Sequence, residues 1–270
     1  MIIMKIGFCA KPDQIEAVAA AGFDYIEPPV NYIAGLTEEA FSVCLDAVRA
    51  SAIPAPSFNL LFPKTLLLLA PETTDEQIRE YLHGALSRVQ RLGGKIAVFG
   101  SGKSRNRPEY MRYDAAFRRL AQVTRLTGEI ADAYDVTIVI EPLNRNETNM
   151  INSLGEGACL TAAVNHPRVK LLADYYHVAL ENQPVSDIER LSGIAHAHIA
   201  TLAGRRVPVE PDAGYAEMFA AMKRTGYPGL ISVEGKTDDL PADGPKAVEM
   251  LKKMWEEAYC ENIDYQPSRT

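Results

Sequence analysis

The sequence predicts an α/β chain folded as one closed (β/α)8 barrel. Three observations predict it. Short β-branched runs alternate strictly with amphipathic helical stretches, a pattern that needs parallel strands joined by helical crossovers. There are eight runs of each kind, which favours closure over an open sheet. The length, 270 residues, fits the roughly 250 that eight βα units of about 30 residues require.

Each element has its own signal. The first strand is predicted at 5–9 (Lys-Ile-Gly-Phe-Cys), with a helix at 12–21 that stops at Gly22. The turn Ala-Gly-Phe-Asp feeds a second strand at 25–27, followed by a helix at 37–52. The third strand, 55–59, ends Ser57-Phe-Asn59 and precedes a helix at 74–92 that stops at Gly93-Gly94. Strand four is 95–99, with its helix at 113–134. Strand five is 137–141, with its helix at 153–164. Strand six is 169–174 and strand seven 194–199, followed by helices at 185–191 and 215–224. Gly226 ends the latter inside Thr-Gly-Tyr-Pro-Gly. Strand eight, 230–234, and a helix at 242–259 complete the set. Glycine closes a helix well because it takes left-handed backbone without a Cβ clash. No Pro/Ser-rich linker or low-complexity tract divides the chain, so 1–260 reads as one domain and 261–270 as a polar tail.

Composition narrows the function classes. The chain is 47% hydrophobic and 23% charged, ordinary for a soluble globular protein. It is long enough to bury a core without disulfides. Cys9, Cys44, Cys159 and Cys260 form no CxxC pair and no zinc-ribbon spacing, and fit a reducing, cytoplasmic setting. The residues before Lys5 are too few for a signal-peptide core, and Pro63 and Lys64 interrupt the most apolar stretch, 60–70, so no membrane span is expected. The net charge of −7 argues against a nucleic-acid partner. Local basic groups at 103–107 and at Arg205-Arg206 read as loop features.

Barrel chemistry sits where the strands end. Strand five ends Ile-Val-Ile-Glu141, strand six Leu-Leu-Ala-Asp174, strand seven His196-Ala-His198 and strand eight Ile-Ser-Val-Glu234. Four adjacent strands thus deliver metal-competent side chains to one rim. A single Glu at a strand end is ordinarily a solvated charge, and a single His a satisfied core residue. It is their co-occurrence on consecutive strands that points to a site. Three carboxylates need a cation nearby, and the oxygen-rich set suits Mn²⁺, Mg²⁺ or Co²⁺ with open positions better than structural zinc; Mn²⁺ is the expected ion, with Mg²⁺ or Co²⁺ possible. His196 shares a face with His198 one layer deeper, which suits support of a ligand more than ligation. His177 falls in the loop after Asp174, within reach of a substrate. Glu27 ends strand two, with packing, loop and mouth positions all open. Asn59, Phe62 and Phe99 are candidates to line the pocket, although a Phe near a barrel end is more often plain core. Lys103 and Lys236 read as solvated, and His83 and His166 as surface residues.

The stretch Glu141-Pro-Leu-Asn-Arg-Asn-Glu147, together with Asp174-Tyr-Tyr-His177, His196-Ala-His198 and Val233-Glu234, resembles the xylose isomerase-like TIM barrel superfamily, and within it the D-tagatose and D-psicose 3-epimerases. The resemblance covers nearly the whole chain and is strongest after Val136. It implies that Glu141, Asp174, His198 and Glu234 bind one divalent metal ion and that Glu141 and Glu234 are the catalytic acid/base pair. It also implies that Glu147, His177 and Arg205 contact the substrate, Arg206 being the alternative if the loop register shifts by one.

The chemistry agrees. A proton α to a carbonyl is too weakly acidic for a carboxylate in water unless the enediolate charge is stabilised. Two glutamates on opposite faces then take and return the proton. The expected function is therefore a metal-dependent isomerase of a small sugar or keto-sugar, most specifically a ketose 3-epimerase working through a cis-enediolate. The alternative is a lyase or dehydratase of a keto-sugar or inosose-like ring, which opens with the same step. An endonuclease IV-like repair enzyme needs more histidines than the five present. A non-catalytic sugar-binding barrel needs no carboxylate pair. Surface helices and the tail leave homo-oligomerisation open.

Overall fold

The computed structural model describes residues 4–191, 193–227 and 229–258. Its strands are β1 (Lys5–Cys9), β2 (Tyr25–Glu27), β3 (Ser57–Phe58), β4 (Ile96–Phe99), β5 (Thr137–Ile140), β6 (Val169–Asp174), β7 (Ile194–Ile199) and β8 (Leu230–Val233). They pair in parallel in the order β2-β1-β8-β7-β6-β5-β4-β3. The seam between β2 and β3 is held by single bonds. Prolines 28, 29, 54 and 56 flank both strands and carry no N–H for a ladder. Ile26 N donates to Pro54 O (3.0 Å), Asn59 N to Pro28 O (3.1 Å) and Val30 N to Asn59 O (2.8 Å), which closes the ring.

The helices are α1 (Ile15–Ala20), α2 (Val30–Ala34), α3 (Glu38–Ala50), α4 (Asp75–Arg91), α5 (Tyr113–Ala133), α6 (Leu154–Val164), α7 (Tyr175–Leu180), α8 (Ala213–Arg224) and α9 (Leu240–Glu257). Gly22, Gly93 and Gly226 have φ of 84°, 86° and 72°, as expected of helix stops. Each long helix turns one apolar stripe to the sheet; α4 buries Ile78, Leu82, Ala85, Leu86 and Val89. Three expectations change. α2 and α7 occupy stretches expected to be loops, and 185–191 is a 3-10 helix over Val185–Arg190. The strand expected at 55–59 shrinks to Ser57–Phe58 between its prolines. The expected tail, 261–270, and Cys260 lie outside the described residues. No described helix is long and apolar enough to cross a membrane.

Strand alternation separates two environments. Outward residues join the helices in one large apolar cluster, which includes Phe62 and Phe99. Those two rings meet edge to face at 4.9 Å and belong to that core. Inward residues on β4, β5 and β6 form a smaller apolar cluster of Ile96, Val98, Val139 and Leu172. The opposite half of the interior is polar: Tyr25, Glu27, Ser57, His196 and Ser232 are all buried there. Gly7 lets Tyr25 enter, because a Cβ at position 7 would overlap the Tyr25 ring.

Arg105 lies in the loop expected at 103–107 but is buried rather than solvated. It is 1% exposed. Its guanidinium donates to the carbonyls of Phe99 (3.0 Å) and Glu141 (2.8 Å), tying the ends of β4 and β5 together. Burial lowers its pKa to about 10, with Glu141 and other acids opposing the fall, so it stays charged at neutral pH. Lys103, two residues earlier, is exposed as expected. Arg105→Leu should strip these carbonyls of their partners and cost about 3 kcal/mol of stability. Denaturant unfolding would measure it, and a loss below about 0.5 kcal/mol would contradict the tie.

Candidate metal centre and substrate site

Each candidate ligand sits at the end of an apolar strand, so the backbone holds it rigidly. Glu141 follows β5, Asp174 ends β6, His198 lies on β7 and Glu234 follows β8. One ligand atom from each falls within 4.8 Å of the others. His198 Nδ1 lies 3.2 Å from Glu141 Oε1 and 3.4 Å from Glu234 Oε2. Gly100, after β4, makes room for Glu141, since a Cβ there would collide with its Oε2. Asp174 divides its two oxygens. Oδ1 caps α7 by accepting from Tyr176 N (2.9 Å). Oδ2 is buried and finds no hydrogen bond among the described residues.

The residues expected to contact substrate surround this cluster. Arg205 pairs with Glu234 Oε2, donates to Glu147 Oε1 (3.1 Å) and lies 3.6 Å from Asp174 Oδ2. Its guanidinium stacks 4.8 Å from the Tyr176 ring centroid. Its backbone is left-handed, φ 50°, in a loop stitched to the segment after β8: Lys236 N donates to Arg205 O (2.8 Å) and Val207 N to Lys236 O (3.0 Å). Arg206 points away and pairs with Asp238 at the surface, so the geometry brings in Arg205 and leaves Arg206 out. Glu147 also accepts from Asn144 Nδ2 (3.0 Å). Asn59 Nδ2 donates to Glu234 Oε1 (3.1 Å), which places Asn59 in the site.

The loop placement of His177 is corrected. The residue lies on the short helix α7, not in a loop, and it is 2% exposed. Its Nδ1 accepts from Asn144 N (3.1 Å), which leaves the hydrogen on Nε2 in the neutral ring. Burial first, then Arg205, lowers its pKa to about 3, so neutral is its working form. Nε2 finds no hydrogen bond among the described residues and lies 3.5 Å from Asp174 Oδ2. It is an unused donor beside the cluster.

The charges are out of balance in a telling way. Burial and then the Glu234 charge raise the pKa of Glu141. Burial and then Glu141 push Asp174 up to about 7. For Glu234, burial pulls upward, but Arg205 and His198 outweigh it and bring its pKa down to about 2. Three carboxylates and an imidazole converging on one point, one oxygen without a partner, are the donors a divalent cation takes. On these observations the residues fit such an ion.

Sequence reasoning missed what lies beneath. Glu27, left open between packing, loop and mouth, is fully buried under His198 and accepts from His198 Nε2 (2.9 Å), His196 Nε2 (2.7 Å) and Ser57 Oγ (2.7 Å). His196 lies one layer below His198, ring centroids 5.0 Å apart. His83 is exposed on α4 and His166 half-buried at the far end of β6.

These shifts would set the pH dependence of a cation binding to this cluster. Below about 7 Asp174 holds its proton, so a cation must displace it, and above that pH it need not. Affinity should therefore rise as pH climbs through 7, by up to about tenfold per pH unit for each proton released. Calorimetric Mn²⁺ titrations between pH 5.5 and 8 would read it, and flat affinity across that range would contradict the assignment. Asp174→Asn should lose the metal yet melt higher than the metal-free parent at pH 8. The buried carboxyl's raised pKa means its ionisation costs stability once pH exceeds the unfolded value, and an amide does not ionise. A metal-free variant that melts lower than the parent would count against this.

The chain matches the xylose isomerase-like TIM barrel family over residues 15–254. It is 25% identical over 233 residues to a D-psicose 3-epimerase of Agrobacterium fabrum, covering 82% of this chain and 77% of that one. It is 29% identical over 239 residues to an L-ribulose 3-epimerase of a Methylomonas species, covering 84% and 78%. Another match is shorter, spanning 41% of a D-psicose 3-epimerase of Ruminiclostridium cellulolyticum. A solved D-allulose 3-epimerase from Methylomonas, in complex with D-allulose, superposes with a TM-score of 0.82 at 19% identity, covering 94% of this chain and 98% of that one. By the extent of the family match and the eight-stranded parallel barrel, this chain belongs to the xylose isomerase-like TIM barrel family.

Proposed function

We propose that the protein is a ketose 3-epimerase that acts on a free keto-sugar and uses one divalent cation, Mn²⁺ before Mg²⁺ or Co²⁺. One observation carries the reading. Glu141 and Glu234, just past the ends of the non-adjacent strands β5 and β8, face each other across His198 with their proton affinities pushed in opposite directions. Two carboxyls so arranged are an acid and a base held on two sides of one small substrate. The sugar epimerases among the relatives support the same reading.

Glu141, Asp174, His198 through Nδ1, and Glu234 would hold the cation, which supplies Lewis acidity to the substrate's carbonyl and neighbouring hydroxyl oxygens. The side chains do the rest. Glu234, kept ionised by Arg205, takes the proton from C3, and the C–H electron pair moves into the enediolate. The Glu141 carboxyl returns a proton to the opposite face of C3, which inverts that carbon. At the end Glu234 carries a proton and Glu141 is ionised, so the pair is set for the reverse reaction or is reset by solvent. Arg205 and His177 Nε2–H donate to substrate oxygens, and Glu147 accepts from a hydroxyl while holding Arg205 in place.

Solvent exchange tests this before the sugar itself is identified. Metal-loaded protein in D₂O with fructose, psicose, tagatose, sorbose or ribulose should exchange the C3 hydrogen with inversion, as read by proton NMR. Exchange at C1 with a new aldehyde would make it an aldose–ketose isomerase, and loss of water a dehydratase. Glu234→Gln should abolish exchange, because an amide cannot take the proton; exchange at the parent rate in both Glu141→Gln and Glu234→Gln would end the two-carboxyl mechanism. Arg205→Ala should lower kcat/KM by about 100-fold with metal content unchanged, as loss of a charged hydrogen bond to substrate does. An equal loss in Arg206→Ala would contradict the placement of the loop.

A further inference from the structure

Beneath the rim lies a buried polar network that the mechanism above does not use. Glu27 is 0% exposed at the end of β2. Its Oε1 takes the Nε2 hydrogen of His198 (2.9 Å). Its Oε2 takes hydrogens from His196 Nε2 (2.7 Å), Ser57 Oγ (2.7 Å) and Ser232 Oγ. Four donors converge on two oxygens, so the carboxylate can act only as an acceptor and is ionised. An ionised carboxylate with no water access persists only when satisfied in this way.

The consequence falls on His198. A histidine ring presents two nitrogens, and only the unprotonated one can bind a cation. With Nε2 turned to Glu27, Nδ1 is the nitrogen whose lone pair a cation would take. Nδ1 is the atom that faces Glu141 at 3.2 Å and Glu234 at 3.4 Å. His196 follows the same logic: its Nε2 hydrogen is on Glu27, and its Nδ1 has no hydrogen bond among the described residues.

Resting on the metal-centre reading above, we propose that Glu27 is the positioning residue of the site. It fixes the tautomer and the ring angle of His198 from below and sets a negative charge under the ligands. Carboxylate partners of this kind raise a histidine's affinity for a cation, and their loss typically costs about 10–100-fold. A purely structural Glu27 would instead matter to folding alone, by tying β2 to β3, β7 and β8.

Mn²⁺ binding, followed by the electron paramagnetic resonance of the free ion, separates the two roles without any substrate. Glu27→Gln offers one acceptor oxygen to four donors and should weaken Mn²⁺ binding about 10–100-fold. Tyr25→Phe is the control. It removes the hydroxyl that meets Ser232 Oγ at 2.9 Å, perturbing the same interior without touching His198, and should bind Mn²⁺ within about twofold of the parent. A folded Glu27→Gln with parental affinity overturns the proposal. If Glu27→Gln does not fold, Glu27→Asp decides in the same way, since it keeps the charge but withdraws it from His198. Histidine ¹⁵N spectra of the Mg²⁺- or Zn²⁺-loaded parent give an independent reading: His198 should be protonated on Nε2, and a proton on Nδ1 would overturn the proposal. A parent chain that binds no divalent ion overturns the metal-centre reading as well, whereas parental affinity in Glu27→Gln overturns this inference alone.

Discussion

Three carboxylates converge in the mouth of this barrel, and their mutual repulsion in a buried space is the constraint the rest of the site answers. Burial alone would keep all three protonated. The fold counters with a guanidinium on one side and an imidazole between them. Arg205 reaches Glu234, Glu147 and the edge of Asp174, and His198 sits between Glu141 and Glu234. The compensation is uneven, and the unevenness is useful. Arg205 and His198 pull the Glu234 pKa down, while burial and the Glu234 charge push that of Glu141 up, so the two carboxyls differ in proton affinity.

The barrel meets this constraint by dividing its interior. The β4–β6 half is filled with Ile96, Val98, Val139 and Leu172, which makes a dry wall under Glu141 and Asp174. The other half holds Glu27 and its four donors under His198. The strand ends that carry the Glu/Asp/His cluster are therefore fixed from below in two ways, by packing on one side and by hydrogen bonds on the other. From outside, Arg105 ties the backbone at Glu141 to that at Phe99. Sites built on rigid strand ends with a supporting layer hold their geometry better than sites on loops.

Much of this is legible in the sequence, and the illegible part has physical causes. Glu141, Asp174, His198 and Glu234 can be read because each follows an apolar run that only a buried strand explains. Glu27 cannot, because Tyr-Ile-Glu also describes an ordinary strand end, and its partners Ser57, His196 and Ser232 are 30, 169 and 205 residues away. Arg105 is hidden in a lysine- and arginine-rich loop, and its partners are backbone carbonyls, which leave no mark on the sequence. Helix α7 is masked because Asp174 serves as both strand end and helix cap, so the chain changes state with no intervening turn. The β2–β3 seam is set by four prolines whose effect depends on which strands become neighbours.

The central claim is that one cation belongs among Glu141, Asp174, His198 and Glu234, with His198 bound through Nδ1. Anomalous diffraction at the manganese edge from crystals grown with Mn²⁺ tests it most directly. The account predicts a single peak per chain, about 2.0–2.3 Å from one atom of each residue. A peak bonded to His198 Nε2, a cluster of two or three ions, or no peak at this rim would contradict it.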